Sequence, residues 1–123
     1  MDAALSSKTS LAAAITKVFT CPDEIFLDYL ATLFSPNLKA VVNNEAKDFD
    51  WLKAKATELR ARPKMDIVVH DLFRDGKKFA WRHVGKSTLP DGKKKRVEVF
   101  VFGELDDQGR VVRQNEMVGV FES

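Results

Sequence analysis

The sequence has 123 residues, of which 45% are hydrophobic and 31% charged, and its net charge at neutral pH is +2. A chain of this length and composition is typical of one globular domain, so we expect a single domain over residues 1–123. The small net charge argues against a nucleic-acid-binding protein, because phosphate contacts require a broad basic surface.

The cysteine count and the apolar runs indicate the compartment. Cys21 is the one cysteine, so no internal disulfide forms, and no spacing of Cys and His indicates a metal site. The N-terminus lacks the pattern of a signal peptide, and no apolar run approaches the length of a membrane span. We therefore predict a cytoplasmic protein with no membrane partner, no metal and no cofactor.

The first third of the chain has the periodicity of two helices. Apolar residues recur at helical spacing over residues 10–20, where Thr9 or Ser10 is expected to cap the first turn. Pro22 suits the start of a second helix, which the pair Ser35-Pro36 is expected to end.

A short strand and a third helix are predicted next. Residues 38–44 contain a β-branched pair and read as a strand or extended connector. Asp48 is placed to cap a third helix that Pro63 terminates. All three predicted helices therefore lie in the first half of the chain.

The second half is predicted to be an antiparallel meander. Strong turn signals stand at Asp75-Gly76, Asp91-Gly92 and Asp107-Gln108-Gly109, because glycine adopts positive φ cheaply. The predicted strands cover residues 65–73, 78–88, 96–105 and 110–121. The fold class is therefore α+β, with three N-terminal helices packed on a strongly curved antiparallel sheet that encloses a pocket.

Two of these turns predict which side chains share a face of the sheet. If each is a two-residue hairpin turn, the residues opposite one another follow directly. One predicted face is aromatic and carries Val68, His70, Leu72, Phe79, Trp81, His83, Glu98, Phe100 and Phe102. The other is rich in valine and carries Ile67, Val69, Ala80, Arg82, Val84, Val97, Val99 and Val101. We expect the helices and the pocket on the aromatic face and a second copy of the protein on the valine-rich face.

The order of elements resembles the SnoaL-like branch of the NTF2-like superfamily. Residues 75–82 and 107–112 carry the resemblance, through the turn positions and the strands that follow them. It implies a cone-shaped α+β barrel, frequent dimers that pair sheet to sheet, and a pocket used by polyketide cyclases, ketosteroid isomerase and dehydratases. The acidic residue that cyclase-type members carry late in the last strand falls on Gly119, and the histidine common in their first strand falls on Asn43.

Four residues are candidates for acid/base catalysis. Proton transfer beside a carbonyl needs a base whose pKa lies near the working pH and a donor for the developing oxyanion. His83 and Glu98 are a candidate dyad, with His70 or Tyr29 as the donor. The register of the last strand is ambiguous, and if Glu116 points inward, a pair of His83 and Glu116 rivals this dyad. In the alternative interpretation the histidines have only local hydrogen bonds, and Glu98 pairs with a lysine near a strand end.

The remaining candidates predict the kind of ligand. The expected substrate-binding residues are Tyr29, Trp81, Phe79, Phe100, Phe102 and Asn115. They indicate an apolar carbonyl-bearing substrate, polyketide- or terpenoid-like, and a cofactor-independent isomerase, dehydratase or cyclase of secondary metabolism that acts as a homodimer. The alternative is a non-catalytic NTF2-like domain that binds a ligand or another protein.

Overall fold

The structure, a computed structural model, describes the backbone of residues 1–122 and the side chains of residues 1–121. A short 3-10 helix at Ala4–Ser6 is followed by α1 (Lys8–Thr20), α2 (Asp23–Leu33), β1 (Phe34–Val42), β2 (Glu45–Asp48), α3 (Phe49–Arg60), β3 (Asp66–Asp75), β4 (Lys78–Thr88), β5 (Lys94–Leu105) and β6 (Val111–Glu122). Within this described part, no helix is long and apolar enough to cross a bilayer. The longest, α1, has 13 residues, whereas a span needs about 20.

Two helices begin where a side chain caps the first turn. In α1 the backbone N–H of Ser10 donates to Ser7 Oγ at 3.0 Å, so Ser7 is the cap and the expectation of Thr9 or Ser10 was wrong. In α3 the N–H of Trp51 donates to Asp48 Oδ1 at 2.9 Å, as expected. These bonds satisfy amides that the helix itself leaves without acceptors.

The six strands form one sheet in the order β2-β1-β6-β5-β4-β3. The meander from β3 to β6 is antiparallel, as predicted, whereas β1 runs parallel to β6. The sequence did not indicate β2, which pairs with β1 through a tight turn at Asn43 and Asn44, both at positive φ. With the helices all before β3, the α+β architecture of three helices on a curved sheet is confirmed.

The hairpin between β3 and β4 turns one residue later than predicted. Asp75 pairs with Lys78, so the turn residues are Gly76 and Lys77, with Gly76 at φ +60°. This moves the register by two and keeps the predicted faces near the turn: Leu72 lies beside Trp81.

A bulge at His70 then reverses the faces of β3. The register shifts between Val69 and Asp71, and Val69 lies beside His83. A bulge inserts one unpaired residue, so the side chains beyond it point to the opposite side of the sheet. Consequently Val69 is buried, while Val68 is 51% exposed on the outer face.

The hairpin between β4 and β5 contains three loop residues rather than two. The N–H of Leu89 donates to the carbonyl of Lys93 at 2.8 Å, and Gly92 within the loop has φ +83°. The extra residue slips the register by one, and Trp81 pairs with Val101 instead of Phe102. Because side chains alternate along a strand, every predicted face assignment in β5 was wrong.

The corrected registers define a concave face and an outer face, names that we use below. The helices cover the concave face, which carries Phe79, Trp81, His83, Val97, Val99, Val101, Gln114 and Glu116. The outer face carries Ala80, Arg82, Val84, Glu98, Phe100, Phe102, Asn115 and Met117. The prediction that the valines form a dimer interface was wrong, since Val99 and Val101 are only 6% and 4% exposed.

The core lies between the helices and the concave face. Leu11 of α1, Leu30 of α2 and Val111 of β6 are among its most deeply buried side chains. Burial of each stabilises the domain by roughly 1.5–3 kcal/mol. The same cluster includes Phe79 and Trp81, so the candidate site is built directly on the core.

Candidate functional site

Two pairs of polar side chains stand on the concave face. Trp81 and His83 lie on β4, and Gln114 and Glu116 lie on β6. The members of each pair are two residues apart, so alternation along a strand places them on the same side. Strand β5 separates the pairs, so they stand about 10 Å apart, two strand spacings, across a floor of valines.

The first pair is ordered by stacking and a hydrogen bond. The indole N–H of Trp81 donates to His83 Nδ1 at 2.9 Å. The two rings are stacked with their centroids 6.5 Å apart, and Phe79 stacks on the other side of Trp81 at 5.3 Å. Both ends of the indole are therefore engaged, and the imidazole orientation is fixed relative to the strand.

Burial changes the protonation of His83. Loss of solvent lowers the pKa of the imidazole from 6.5 to about 4, because an apolar environment disfavours the charged form. His83 is therefore neutral at physiological pH. This differs from the expected base with a pKa near the working pH.

The second pair places a carboxyl group in the interior. Gln114 Nε2 donates to Glu116 Oε2 at 2.9 Å. Burial raises the pKa of Glu116, and the hydrogen bond from Gln114 opposes that rise because it favours the ionised form. The higher pKa brings proton exchange at this carboxyl closer to neutral pH, as acid/base catalysis requires.

Gln114 has a further property that its sequence position did not reveal. Its side chain is 7% exposed, and its Oε1 is the buried side-chain nitrogen or oxygen that lacks a partner within the described residues. The amide group has only one carbonyl oxygen, and its NH₂ is committed to Glu116. Gln114 therefore leaves an acceptor free in the interior.

Glu98 does not belong to this site. It lies on the outer face, where its carboxylate accepts hydrogen bonds from Arg82 at 2.9 Å and from Arg96 at 3.1 Å. The predicted dyad with His83 is therefore not formed, since the two side chains are on opposite sides of the sheet. The alternative interpretation, in which Glu98 makes an ordinary ion pair, agrees better with the structure, although the partners are arginines rather than lysines.

Four other candidates also lie away from the concave face. His70 is exposed at the bulge of β3. Phe100 and Phe102 are 50% and 59% exposed on the outer face, and Asn115 lies there beside Phe102. The expectation that they share a face with His83 was wrong, for the register reasons given above.

Tyr29 is occupied by the helix layer. Its hydroxyl donates to the carbonyl oxygen of Ala14 in α1 at 3.3 Å, and the ammonium of Lys17 lies 4.5 Å from the ring centroid. These contacts tie α2 to α1. The phenol therefore has a structural partner. The prediction that Tyr29 lies beside the catalytic candidates was wrong.

Of the candidate residues, Phe79, Trp81, His83 and Glu116 lie on the concave face, with β5 between Glu116 and the other three. His83 and Glu116 are half-buried, so both can be reached from solvent. Two surface depressions of about 470 and 420 Å³ lie elsewhere. The larger is lined by residues of α2 and α3 around Arg60, the smaller by Lys47 and Trp51 with their neighbours.

Metal chemistry has no support in the arrangement of ligands. Within the described residues, no three His, Cys, Asp or Glu side chains are grouped so as to hold an ion. Cys21 is buried and receives a 3.5 Å contact from Arg60 Nη1, which also donates to the carbonyl of Val18 at 2.7 Å. This cluster joins α1 to α3 and is structural.

Comparison with known proteins addresses the fold. No protein-family model matches this chain. No curated protein matches it either. Similarity is found among solved structures, where IdmH of Streptomyces antibioticus, described as a candidate polyketide cyclase, superposes with a TM-score of 0.70 at 19% identity, over 91% of each chain.

Two further structures extend this likeness. A SnoaL-like polyketide cyclase from Agrobacterium tumefaciens has a TM-score of 0.64 at 16% identity, over 87% of this chain and 86% of that one. An NTF2-like protein of unknown function from Exiguobacterium has a TM-score of 0.67 at 16% identity, over 87% and 96%. At such low identity the similarity concerns architecture, and the expected cone of the SnoaL-like, NTF2-like group is confirmed at that level.

Proposed function

We propose that this NTF2-like chain binds an apolar carbonyl-bearing small molecule, polyketide- or terpenoid-like, on its concave face and moves a proton on it. The reaction class is isomerisation, dehydration or cyclisation in cytoplasmic secondary metabolism, without a cofactor. The observation that carries the proposal is a half-buried carboxyl group, Glu116, whose pKa is raised and which lies across Val101 from Trp81, the residue that orders the imidazole of His83. The cyclases among its structural neighbours agree with this reading.

Glu116 is the group that transfers the proton. A carboxyl with a raised pKa can take a proton from the carbon next to a carbonyl and return it elsewhere on the same molecule. Gln114 holds one carboxyl oxygen in place and leaves the other free. The aromatic stack of Phe79 and Trp81 is buried in the core and holds the imidazole of His83 in place from below.

Deuterium exchange tests this proposal without knowledge of the natural substrate. Apolar ketones that can enolise, such as 2-tetralone and 2-methylcyclohexanone, are incubated with the protein in D₂O, and incorporation at the α-carbon is followed by NMR. We expect exchange faster than in buffer alone, and a loss of about 100- to 10,000-fold in the Glu116→Gln variant.

The matched control is the Glu98→Gln variant, because Glu98 is a glutamate of the same sheet that lies on the outer face. It should retain the exchange rate of the unmodified protein. Equal losses in both variants, or no exchange with any ketone, would contradict the assignment of Glu116.

The apolar patch of the outer face favours a homodimer contact. Phe73, Phe100, Phe102 and Met117 are each about half exposed or more. Phe100 and Phe102 of β5 lie beside Met117 of β6, and Ala80 of β4 lies between Phe102 and Phe73 of β3. The charges nearby cancel one another, since two arginines pair with two carboxylates. A large neutral apolar surface of this kind suits a second copy of the same face, so we place the homodimer contact here.

Charge placed in the patch tests the dimer. Phe102→Lys should yield a folded monomer by analytical ultracentrifugation, because the side chain is already 59% exposed and its replacement leaves the core intact. Leu27→Lys is the matched control: it is an exposed apolar residue of α2 and should leave the dimer unchanged. A monomeric unmodified protein at micromolar concentration would rule out this interface.

A further inference from the structure

The hydrogen bond between Trp81 and His83 determines which imidazole nitrogen carries the proton. An indole N–H is only a donor, so Nδ1 of His83, 2.9 Å away, must offer its lone pair. A neutral imidazole has one N–H, and that N–H is consequently at Nε2. The stacking of Phe79 on Trp81 keeps the donor in this position.

The protonated nitrogen is the one that has no protein partner. Within the described residues, Nε2 of His83 has no protein partner, and the only fully buried side-chain nitrogen or oxygen without a hydrogen-bond partner is Gln114 Oε1. Nε2 therefore keeps contact with solvent, consistent with the half-buried state of His83. His83 thus presents a neutral N–H donor at the accessible part of the concave face.

We propose that His83 is a hydrogen-bond donor to the carbonyl oxygen of the ligand and not a base, and that Trp81 is the positioning residue that fixes this tautomer. The inference rests on the proposed function for the identity of the ligand, an enolisable carbonyl compound. As Glu116 removes the α-proton, the C–H electron pair moves to form the enolate C=C bond, and negative charge develops on the oxygen. The Nε2–H bond stabilises that charge without transferring its proton.

This role follows from the shortage of lone pairs on the ring. Since Trp81 occupies the lone pair of Nδ1, a base function would require the neutral ring to give up that hydrogen bond or to change tautomer. A donor function requires neither. The ligand class is therefore one with an acceptor oxygen at the reacting centre, such as a ketone, ester or thioester, with Glu116 as the group that exchanges protons.

The tautomer is measured by ¹H–¹⁵N NMR of the histidine side chains in the full chain. The protein has two histidines, so His70, exposed at the bulge, is the internal control. We expect His83 to show a protonated Nε2 and an unprotonated Nδ1 at pH 7, while His70 shows an average of both tautomers. Protonated Nδ1 or an imidazolium ring at His83 would overturn the proposal.

The Trp81→Phe variant separates positioning from mere packing. Phenylalanine keeps an aromatic ring but has no N–H, so we expect His83 to populate both tautomers. An unchanged tautomer in a folded variant would refute the positioning role of Trp81. If the variant is unfolded, the NMR assignment in the unmodified protein still decides the tautomer. His83→Met then tests the donor, because its thioether is a weak acceptor for the indole and it has no N–H.

4-Nitrophenol serves as the probe of the donor, because its anion resembles an enolate and is coloured. Binding should favour the phenolate and lower the apparent pKa of the bound probe, and His83→Met, whose side chain has no N–H, should remove this effect. No effect, or an equal one in the variant, would overturn the donor role. If His83 has the expected tautomer and the phenolate binds but no deuterium exchange occurs, only the proposed catalysis is refuted. If exchange occurs but Nδ1 of His83 is protonated, only the donor role of His83 is refuted.

Discussion

The buried neutral imidazole of His83 makes the stability of the protein depend on pH. Its pKa is about 4 in the native state against 6.5 as the reference value. In the unfolded chain this histidine binds a proton as the pH falls below 6.5, whereas the native state does not. Stability rises with pH wherever the unfolded state binds more protons, so this contribution is complete above neutral pH and is lost on acidification.

The size of the effect follows from the two pKa values. One pKa unit corresponds to 1.36 kcal/mol, so the free energy of unfolding falls by about 2 kcal/mol at pH 5 and about 3 kcal/mol at pH 4 through His83 alone. Carboxylates elsewhere add their own dependence on pH. The effect of His83 must therefore be isolated by comparison with a variant.

Urea unfolding at pH 7.5 and pH 5 provides the assay. His83→Asn removes the titrating group and retains an acceptor for Trp81, so the unmodified protein should lose about 2 kcal/mol more than this variant between the two pH values. His70→Asn, which changes the exposed histidine, should follow the unmodified protein. A difference between the unmodified protein and His83→Asn smaller than about 0.5 kcal/mol would refute the buried neutral imidazole.

Three further substitutions test the site and its frame. Gln114→Leu removes the donor to Glu116, so the pKa of Glu116 should rise further in a carboxyl ¹³C NMR titration; an unchanged or lower pKa would contradict the assigned bond. Leu11→Ala opens a cavity at a side chain with no exposed surface and should cost about 2–5 kcal/mol in urea unfolding. Asp48→Ala removes the cap of α3 and should lower the free energy of unfolding by about 1 kcal/mol, and the backbone amide of Trp51 should then exchange its hydrogen faster.

The fold could be predicted from the sequence because the local helix and turn signals agree with the overall architecture. Helical periodicity, the Asp48 cap and the glycine turns each determine structure within a few residues, and they place the helices before a meander. The parallel pairing of β1 with β6 was not predictable in this way, since it joins residues 74–77 positions apart without a turn to fix the register. The short strand β2 has no apolar pattern, and its residues are mostly exposed.

The site was predicted less well because faces of a sheet depend on single residues. One additional loop residue before Lys93 and one bulge residue, His70, exchanged the inner and outer side chains of β5 and of the first part of β3. Assignments that did not cross these points held: Trp81 and His83 share a face through alternation within β4. Glu116 was one of two possibilities for β6, and the bulge next to Leu105 selects it.

Some residues of the site could have been found from sequence patterns. Gln114 and Glu116 repeat the two-residue spacing of Trp81 and His83, and that spacing places polar pairs on one face of a strand. The acidic residue that the SnoaL-like resemblance implies late in the last strand falls on Gly119, which pairs with Glu98 on the outer side of the sheet. Glu116 therefore supplies an interior carboxyl from a different position of the last strand.

The claim that the concave face binds an apolar carbonyl compound is tested most directly by the two indole N–H resonances of the protein. Trp81 lies on the concave face, whereas Trp51 lines the 420 Å³ depression beside β2. On titration with 2-cyclohexenone, the Trp81 Nε1–H resonance should shift and saturate while that of Trp51 stays in place. A shift confined to Trp51, or none at either indole up to the solubility of the ketone, would contradict the account.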